Sequence, residues 1–342
     1  SQHRGMDLDV LFLGTAGSSP SPRRGLPATL VRRGGDRLLF DCGEGTQRQL
    51  MRSTGLVELE ELFITHFHAD HVLGLPGMLK TFALRQRERD LVVYGPRGLA
   101  GVYELLAPVI GRLTFRVRLE ELEPNDELER DGYRIAAFDV DHGGPGLGYA
   151  LVEDPRPGQF DPARASELGV RPGPDFGRLQ RGEEVDGVRP DQVMGETRRG
   201  RKVVLSGDTA PCDMTRLVAW EADLLVHEAT FLEEDAERAA ETRHSTAAGA
   251  AALAAEAAVR MLALTHISPR YPVSEVLAEA RPVFERTIVP RDFSRVEIPF
   301  PERGEPVHIA EPYRAPRPEE APDSAPERGR AVELAGDPPD VR

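Results

Sequence analysis

The sequence predicts an α/β protein in which two β-sheets pack face to face with helices on the outside. Three observations predict it. Short apolar segments recur between Gly- and Pro-rich turns. Hairpin-like pairs alternate with strand-then-helix units, a mixture that suits two packed sheets with outer helices. Several apolar segments end in His or Asp, and α/β proteins gather their sites at the carboxyl ends of strands.

The elements follow in order. Residues 8–13 are apolar and stop at Gly14, before a loop with three prolines. Residues 28–31 and 38–40 read as strands joined through Gly34-Gly35, a hairpin signal. Residues 45–51 read as a short helix. Residues 62–65 form a buried strand that runs straight into a His-rich loop, and 75–84 have helical spacing. Further strands are expected at 91–94, 134–138 and 147–152. In the second half, 203–205, 224–226 and 262–265 read as strands. Residues 246–258 form an Ala-rich helix, with Ser245 as its expected N-cap. Residues 154–201 are rich in Pro, Gly and Arg and too long for an ordinary connection, so they are expected to be functional or mobile. From 311 to 342 the chain has almost no large apolar residue and is expected to be a disordered tail.

Composition narrows the function classes. The chain has 342 residues, 40% of them hydrophobic and 29% charged. That is ample for a core without staples. No apolar run approaches the roughly 18 residues of a spanning helix, and the opening SQHRGMDLDV is polar. Two cysteines, Cys42 and Cys212, give no disulfide framework and point to a reducing, cytoplasmic setting. The net charge of −14 argues against non-specific binding to polyanions, but not against a local metal site that meets phosphate.

Thr65-His66-Phe67-His68-Ala69-Asp70-His71 is the strongest signal. Three imidazoles and a carboxylate lie directly after a strand. In a turn, His66 and His68 can converge on one ion while Asp70 and His71 face a second. This donor set suits Zn²⁺ first, then Mn²⁺ or Fe. His142, Asp208 and His266 each follow a predicted strand. Seven of the nine histidines fall within these and the two following segments. A dinuclear site needs about that many ligands, and Asp208 is the best bridge, since a carboxylate can span ions roughly 3.5–4 Å apart. His227-Glu228-Ala229-Thr230 and His244-Ser245-Thr246 form a third group, in which Glu228 can orient His244 as a general acid. Asp41-Cys42-Gly43-Glu44-Gly45 reads as a strand-to-helix turn, with Cys42 a small core residue.

The run His66–His71 resembles the signature of the metallo-β-lactamase superfamily, hydrolases with an αββα four-layer sandwich. Leu11–Thr15, Asp41–Gln47, Pro76–Met78, Ser206–Thr209, His227–Phe231, His244–Thr246 and Leu264–Ser268 together resemble the ribonuclease Z family, which removes the 3′ trailer from precursor tRNA. The likeness runs from about residue 8 to residue 300. It implies one zinc on His66, His68 and His142, a second on Asp70, His71 and His266, and Asp208 between them. It implies Asp70 as proton acceptor and His244, held by Glu228, as proton donor. The expected organisation is a hydrolase domain over 6–310 with an inserted tRNA-binding arm at about 154–201, acting as a homodimer. Arg178, Arg181, Arg198, Arg199 and Arg201 are expected to supply local positive potential. The alternatives are a small-molecule phosphodiesterase or esterase on the same scaffold, and an RNA-binding module with a structural metal. The second calls for a closed, Cys-rich site, which this donor set is not.

Overall fold

The structure is a computed structural model that describes residues 6–56 and 59–315. Its strands, in chain order, are β1 (Leu8–Gly14), β2 (Ala28–Arg33), β3 (Asp36–Phe40), β4 (Glu61–Phe63), β5 (Leu91–Gly95), β6 (Val117–Glu121), β7 (Glu127–Arg130), β8 (Tyr133–Asp139), β9 (Leu147–Glu153), β10 (Lys202–Leu205), β11 (Leu224–Glu228), β12 (Leu262–Thr265), β13 (Thr287–Ile288), β14 (Arg295–Glu297) and β15 (Val307–Ile309). The helices are α1 (Thr46–Arg52), α2 (Ala69–Val72), α3 (Leu75–Leu84), α4 (Leu99–Ile110), α5 (Pro162–Glu167), α6 (Pro174–Gln180), α7 (Asp213–Val218), α8 (Ala236–Thr242), α9 (Ala247–Glu256) and α10 (Val273–Ala280).

The strands form two sheets, ordered β15-β14-β1-β2-β3-β4-β5-β6 and β13-β12-β11-β10-β9-β8-β7. Alternation along each strand sends one face inward. Val10, Phe12, Val31, Phe40 and Phe63 of the first sheet meet Tyr149, Leu151, Val203, Leu205 and Val226 of the second. The opposite faces are covered by helices. Leu50, Met78, Leu79 and Phe82 of α1 and α3 pack under the first sheet. The alanines of α9 pack with Val276 of α10 under the second. Small side chains let α9 lie close to β11 and β12. The result is the four-layer αββα sandwich that the sequence led us to expect. Among the described residues no helix is long and apolar enough to cross a membrane.

Direction places the site. Strands β3 and β4 are parallel, as are β10, β11 and β12. β8 and β10 both run antiparallel to β9, so β8 points the same way as β10. The carboxyl ends that carry the polar residues therefore share one edge of their sheet. Tyr149 ties the two sheets beneath the His-rich loop: its hydroxyl donates to the Ile64 carbonyl at 2.7 Å, and its ring packs against Phe40 and Phe63.

A buried ion triad joins the sheets at the other end of β9. Glu153 accepts from Arg33 of β2 at 2.8 Å and from the Nε and Nη2 of Arg201 at 2.7 Å each. Arg201 is only 2% exposed and also donates to the carbonyls of Ile298 and Met6. It is a structural cation, not a phosphate contact. The other four arginines expected to supply positive potential are ion-paired as well, Arg178 and Arg181 at the exposed surface. Arg199 is bonded to buried Asp223, Arg198 to Glu302, and Arg178 and Arg181 to Glu183.

Residues 154–201 leave and re-enter the body between β9 and β10. They carry α5, α6 and a small core of their own, in which Ala165, Val170, Leu179, Val185, Val188 and Val193 are buried. Both helices begin with Pro, whose missing N–H costs nothing in a first turn, and Asp161 caps α5 by accepting from the Arg164 N–H. At the root, Arg156 and Arg198 pair through their backbones and both reach Glu302.

Two expectations change in detail. The cap of α9 is Thr246, which accepts from the Gly249 N–H, while Ser245 donates to the Thr209 carbonyl instead. Residues 311–315 stay against the body, with Arg32 and Arg295 over the Tyr313 ring. The remainder of the expected tail, 316–342, lies outside the described residues.

Burial opposes charge on Glu153, but Arg201 and then Arg33 outweigh it and hold the carboxyl below its usual range. A depressed folded-state pKa stabilises the fold above the unfolded value, about 4.3, and that contribution fades as the pH falls through the folded value. Glu153→Gln is expected to lose about 3 kcal/mol at pH 7, since two buried cations lose their anion. Urea denaturation at pH 7 and again below pH ~4 is expected to show the gap between variant and parent closing in acid.

Candidate active site

Each predicted residue arrives at the shared edge. The turn after β4 presents His66 and His68, and α2 presents Asp70 and His71. His142 follows β8, Asp208 follows β10, Glu228 ends β11 and His266 follows β12. His244 lies in the turn between α8 and α9. The structure brings together all nine of the residues singled out. The ligand atoms of His66, His68, His142 and Asp208 lie within 4.8 Å of one another, as do those of Asp70, His71 and His266.

Asp208 is the centre. Its Oδ2 lies 3.3 Å from His266 Nε2, 3.4 Å from His71 Nε2, 3.5 Å from His66 Nε2 and 3.8 Å from His142 Nε2. Asp70 Oδ2 lies 3.4 Å from His71 Nε2 and 3.2 Å from His266 Nε2. Two donor groups thus share one carboxylate.

Most of the remaining ring nitrogens are fixed from behind. Asp41 Oδ2 lies 2.7 Å from His71 Nδ1 and accepts from the Thr65 hydroxyl, and Asp41 Oδ1 accepts from the Thr65 N–H. Thr65 Oγ1 lies 3.1 Å from His66 Nδ1. The Arg243 carbonyl accepts from His142 Nδ1 at 3.0 Å. Thr230 Oγ1 lies 2.7 Å from His266 Nδ1, and Glu228 Oε1 lies 2.6 Å from His244 Nδ1. Metal-binding imidazoles are commonly held this way, with the second nitrogen fixing tautomer and ring plane.

Two matched comparisons place the chain. The family model described as the metallo-beta-lactamase superfamily matches residues 23–266. Ribonuclease Z of Methanosarcina acetivorans is 46% identical over 301 residues, covering 86% of this chain and 99% of that protein. The chain belongs to the ribonuclease Z family. Ribonuclease Z of Haloferax volcanii is 48% identical over 305 residues, covering 86% of this chain and 96% of its own length. Among solved structures, the short form of human tRNase Z superposes with a TM-score of 0.63 at 29% identity, covering 85% of this chain and 99% of that one.

Membership of this metal-dependent family can be tested against the donor set, and the residues present fit divalent ions. His71 Nε2 is buried and has no hydrogen-bond partner, although it points into the cluster. Burial alone would strip the proton from His71, yet Asp208 and Asp41 reverse this and hold it well above its ordinary value. Burial also opposes a proton on His266, and Asp208 with Asp70 overcomes it. The carboxylates therefore impose a field that calls for positive charge, and a divalent cation answers it more fully than a proton. Burial pushes His66 down to about 2, helped by the neighbouring His71, so His66 is the neutral imidazole that a metal requires. Burial would raise Asp208, but the imidazoles of His266 and His71 hold it well below the usual carboxylate range.

Left-handed backbone is part of the site. Ser18, Asp41, Arg243 and His266 all adopt positive φ, between 54° and 63°. For side chains other than Gly this costs about 1–2 kcal/mol each, and such strain gathers at sites. Ser18 uses it to donate its N–H to Asp70 Oδ2 at 3.0 Å. Its neighbour must be Gly17, because a Cβ there would lie 2.6 Å from His266 Nδ1.

Sequence reasoning missed Asp41, read as part of a turn, and with it Thr65, Ser18 and the Arg243 carbonyl. A carboxylate directly after a strand was the available signal for Asp41, the same signal that singled out Asp208. Asn tolerates the left-handed conformation of position 41, so Asp41→Asn removes the charge and keeps the turn. It is expected to weaken divalent-ion binding about 10–100-fold, read by competition against a chromophoric chelator.

Proposed function

We propose that this chain is a zinc-dependent endoribonuclease that cuts the 3′ trailer from precursor tRNA, leaving a 3′-hydroxyl on the tRNA and a 5′-phosphate on the trailer. One observation carries the reading: two His/Asp donor groups share Asp208, next to a Glu228–His244 pair, in a chain of the ribonuclease Z family. His66, His68 and His142 would hold one ion, Asp70, His71 and His266 the other, with Asp208 common to both. Imidazole with carboxylate suits Zn²⁺. When bound, such an ion pair neutralises the scissile phosphate, makes a water more acidic and stabilises both the entering and leaving oxygens.

The side chains supply the proton transfers. Asp70, aimed by the Ser18 N–H, takes a proton as water adds to phosphorus. The bond from phosphorus to the ribose 3′ oxygen breaks, and His244 gives that oxygen a proton. Glu228 holds His244 in place. It is itself kept below the usual carboxylate range, because its bond to His244 outweighs the burial that would raise it. Free thiols at Cys42 and Cys212 fit a cytoplasmic setting for this work.

We assign residues 154–201 as the tRNA-gripping arm. Most of its arginines are matched by carboxylates of the arm or of the body, as described above. Arg171, exposed and with no hydrogen-bond or ion-pair partner among the described residues, is its candidate phosphate contact. We further propose a homodimer through α3 and α4, where Leu84, Leu105 and Val109 are 72%, 80% and 76% exposed on neighbouring helices. Apolar surface of that kind marks an interaction face.

Four experiments test these assignments. Incubation with a 3′-extended tRNA is expected to give one new end, abolished by chelator. Asp70→Ala is expected to slow cleavage on the order of 10²–10⁴-fold, and near-parental turnover would remove its role. Excising residues 157–197, which carry the arm's own core, while leaving Arg156, Arg198, Arg199 and Arg201 in place, is expected to raise KM for precursor tRNA and flatten the salt dependence of binding, while a small chromogenic phosphodiester is still hydrolysed. Equal losses on both substrates would make the segment structural. In sedimentation, Leu105→Glu with Val109→Glu is expected to turn a dimer into a monomer, and a monomeric parent would overturn that interface.

A further inference from the structure

His266 serves the proposed metal centre and Glu228–His244 the proposed proton delivery, and one hydroxyl touches both. Thr230 Oγ1 lies 2.7 Å from His266 Nδ1, 2.7 Å from Glu228 Oε2 and 3.2 Å from His244 Nδ1. The side chain is buried and β-branched, so its rotamer is restricted.

Proton counting decides the direction of each bond. A hydroxyl has one proton to give and two lone pairs with which to receive. Glu228 acts throughout as an acceptor. Its Oε1 takes the Thr209 N–H at 2.9 Å and faces His244 Nδ1, while its Oε2 takes the N–H groups of Thr230 at 3.2 Å and Ser245 at 3.1 Å. The Thr230 proton therefore goes to Glu228. Toward His266 the same oxygen must accept, so His266 carries its proton on Nδ1. Nε2, 3.2 and 3.3 Å from Asp70 Oδ2 and Asp208 Oδ2, is then the nitrogen left to give its lone pair to a cation that takes the place of a proton there. Without an acceptor at position 230, the other tautomer wins: Nε2–H would donate to those carboxylates and could no longer bind a cation.

We propose that Thr230 is a positioning residue that sets the tautomer of His266 for metal binding while bracing the Glu228–His244 pair, so that ion loading and proton delivery share one oxygen. The inference rests on the two-ion reading of the site, not on the identity of the RNA. It also makes an asymmetric demand. The His66–His68–His142 group is held from behind by Thr65 and the Arg243 carbonyl, so loss of the Thr230 hydroxyl affects one ion and not the other.

The test compares Thr230→Val, which keeps the shape and removes the hydroxyl, with Thr230→Ser, which keeps the hydroxyl. Zn²⁺ is titrated into each metal-free protein against a chromophoric chelator, without RNA. The Val variant is expected to keep one tight ion and bind the other about 10–100-fold more weakly, and the Ser variant to bind both as the parent does. With 3′-extended tRNA, kcat is expected to fall for Val and recover for Ser, with KM unchanged in both. The proposal is overturned if Val binds both ions as the parent does or weakens both equally. It is equally overturned if a folded Ser variant loses the second ion, an arm that holds even where Val does not fold. If the titrations behave as described but no tRNA is cut, the substrate reading falls and the role of Thr230 stands.

Discussion

A single carboxylate oxygen, Asp208 Oδ2, stands within 3.8 Å of four imidazole nitrogens that come from three loops of two sheets. Such an oxygen cannot be buried without positive charge close by. Everything around it serves that requirement. Parallel strands bring their ends to one edge, the Tyr149 hydroxyl fixes the first sheet against the second, and strained backbone at Asp41 and His266 turns side chains inward that a relaxed loop would leave outside. The fold is the means by which an anion and its imidazoles are held at a distance they would not choose alone.

Around that centre lies a second layer with one task, to decide where each ring carries its proton. It draws on whatever the local chain offers: a carboxylate for His71, hydroxyls for His66 and His266, a backbone carbonyl for His142, and Glu228 for His244. The chemistry of the partner matters less than its sign and direction. This explains why the layer is spread over four segments and shows no spacing of its own.

That distinction marks what could be read in the sequence. Residues that meet an ion are of few types and follow strands, so His66 to His71, His142, Asp208 and His266 stood out, and the sandwich followed from the order of strands and helices. Residues that meet the ligands are ordinary threonines, an aspartate in a glycine turn and main-chain atoms, and nothing in their identity separates them from turn chemistry. The helix α4 was also missed, because Gly101 and Pro108 interrupt it and its apolar residues surround the helix instead of forming a stripe. The two helices of the inserted segment are each under two turns, too short for periodicity, and only their opening prolines announced them. The arginines of the same segment could be counted in the sequence, but not their partners, and it is the partners that decide which cations are left for solvent.

The root of that segment has a further meaning. Arg156 and Arg201 lie on either face of Phe300, at 3.6 and 3.9 Å from the ring centre, while Arg156 and Arg198 clasp Glu302. The two chains entering and leaving the insertion are thus stapled to the connection between the last two strands, well away from the imidazoles. Such an attachment makes the insertion an interchangeable cassette. Its length and surface can change without disturbing the clustered imidazoles, so the insertion and the site are free to diverge independently on this scaffold.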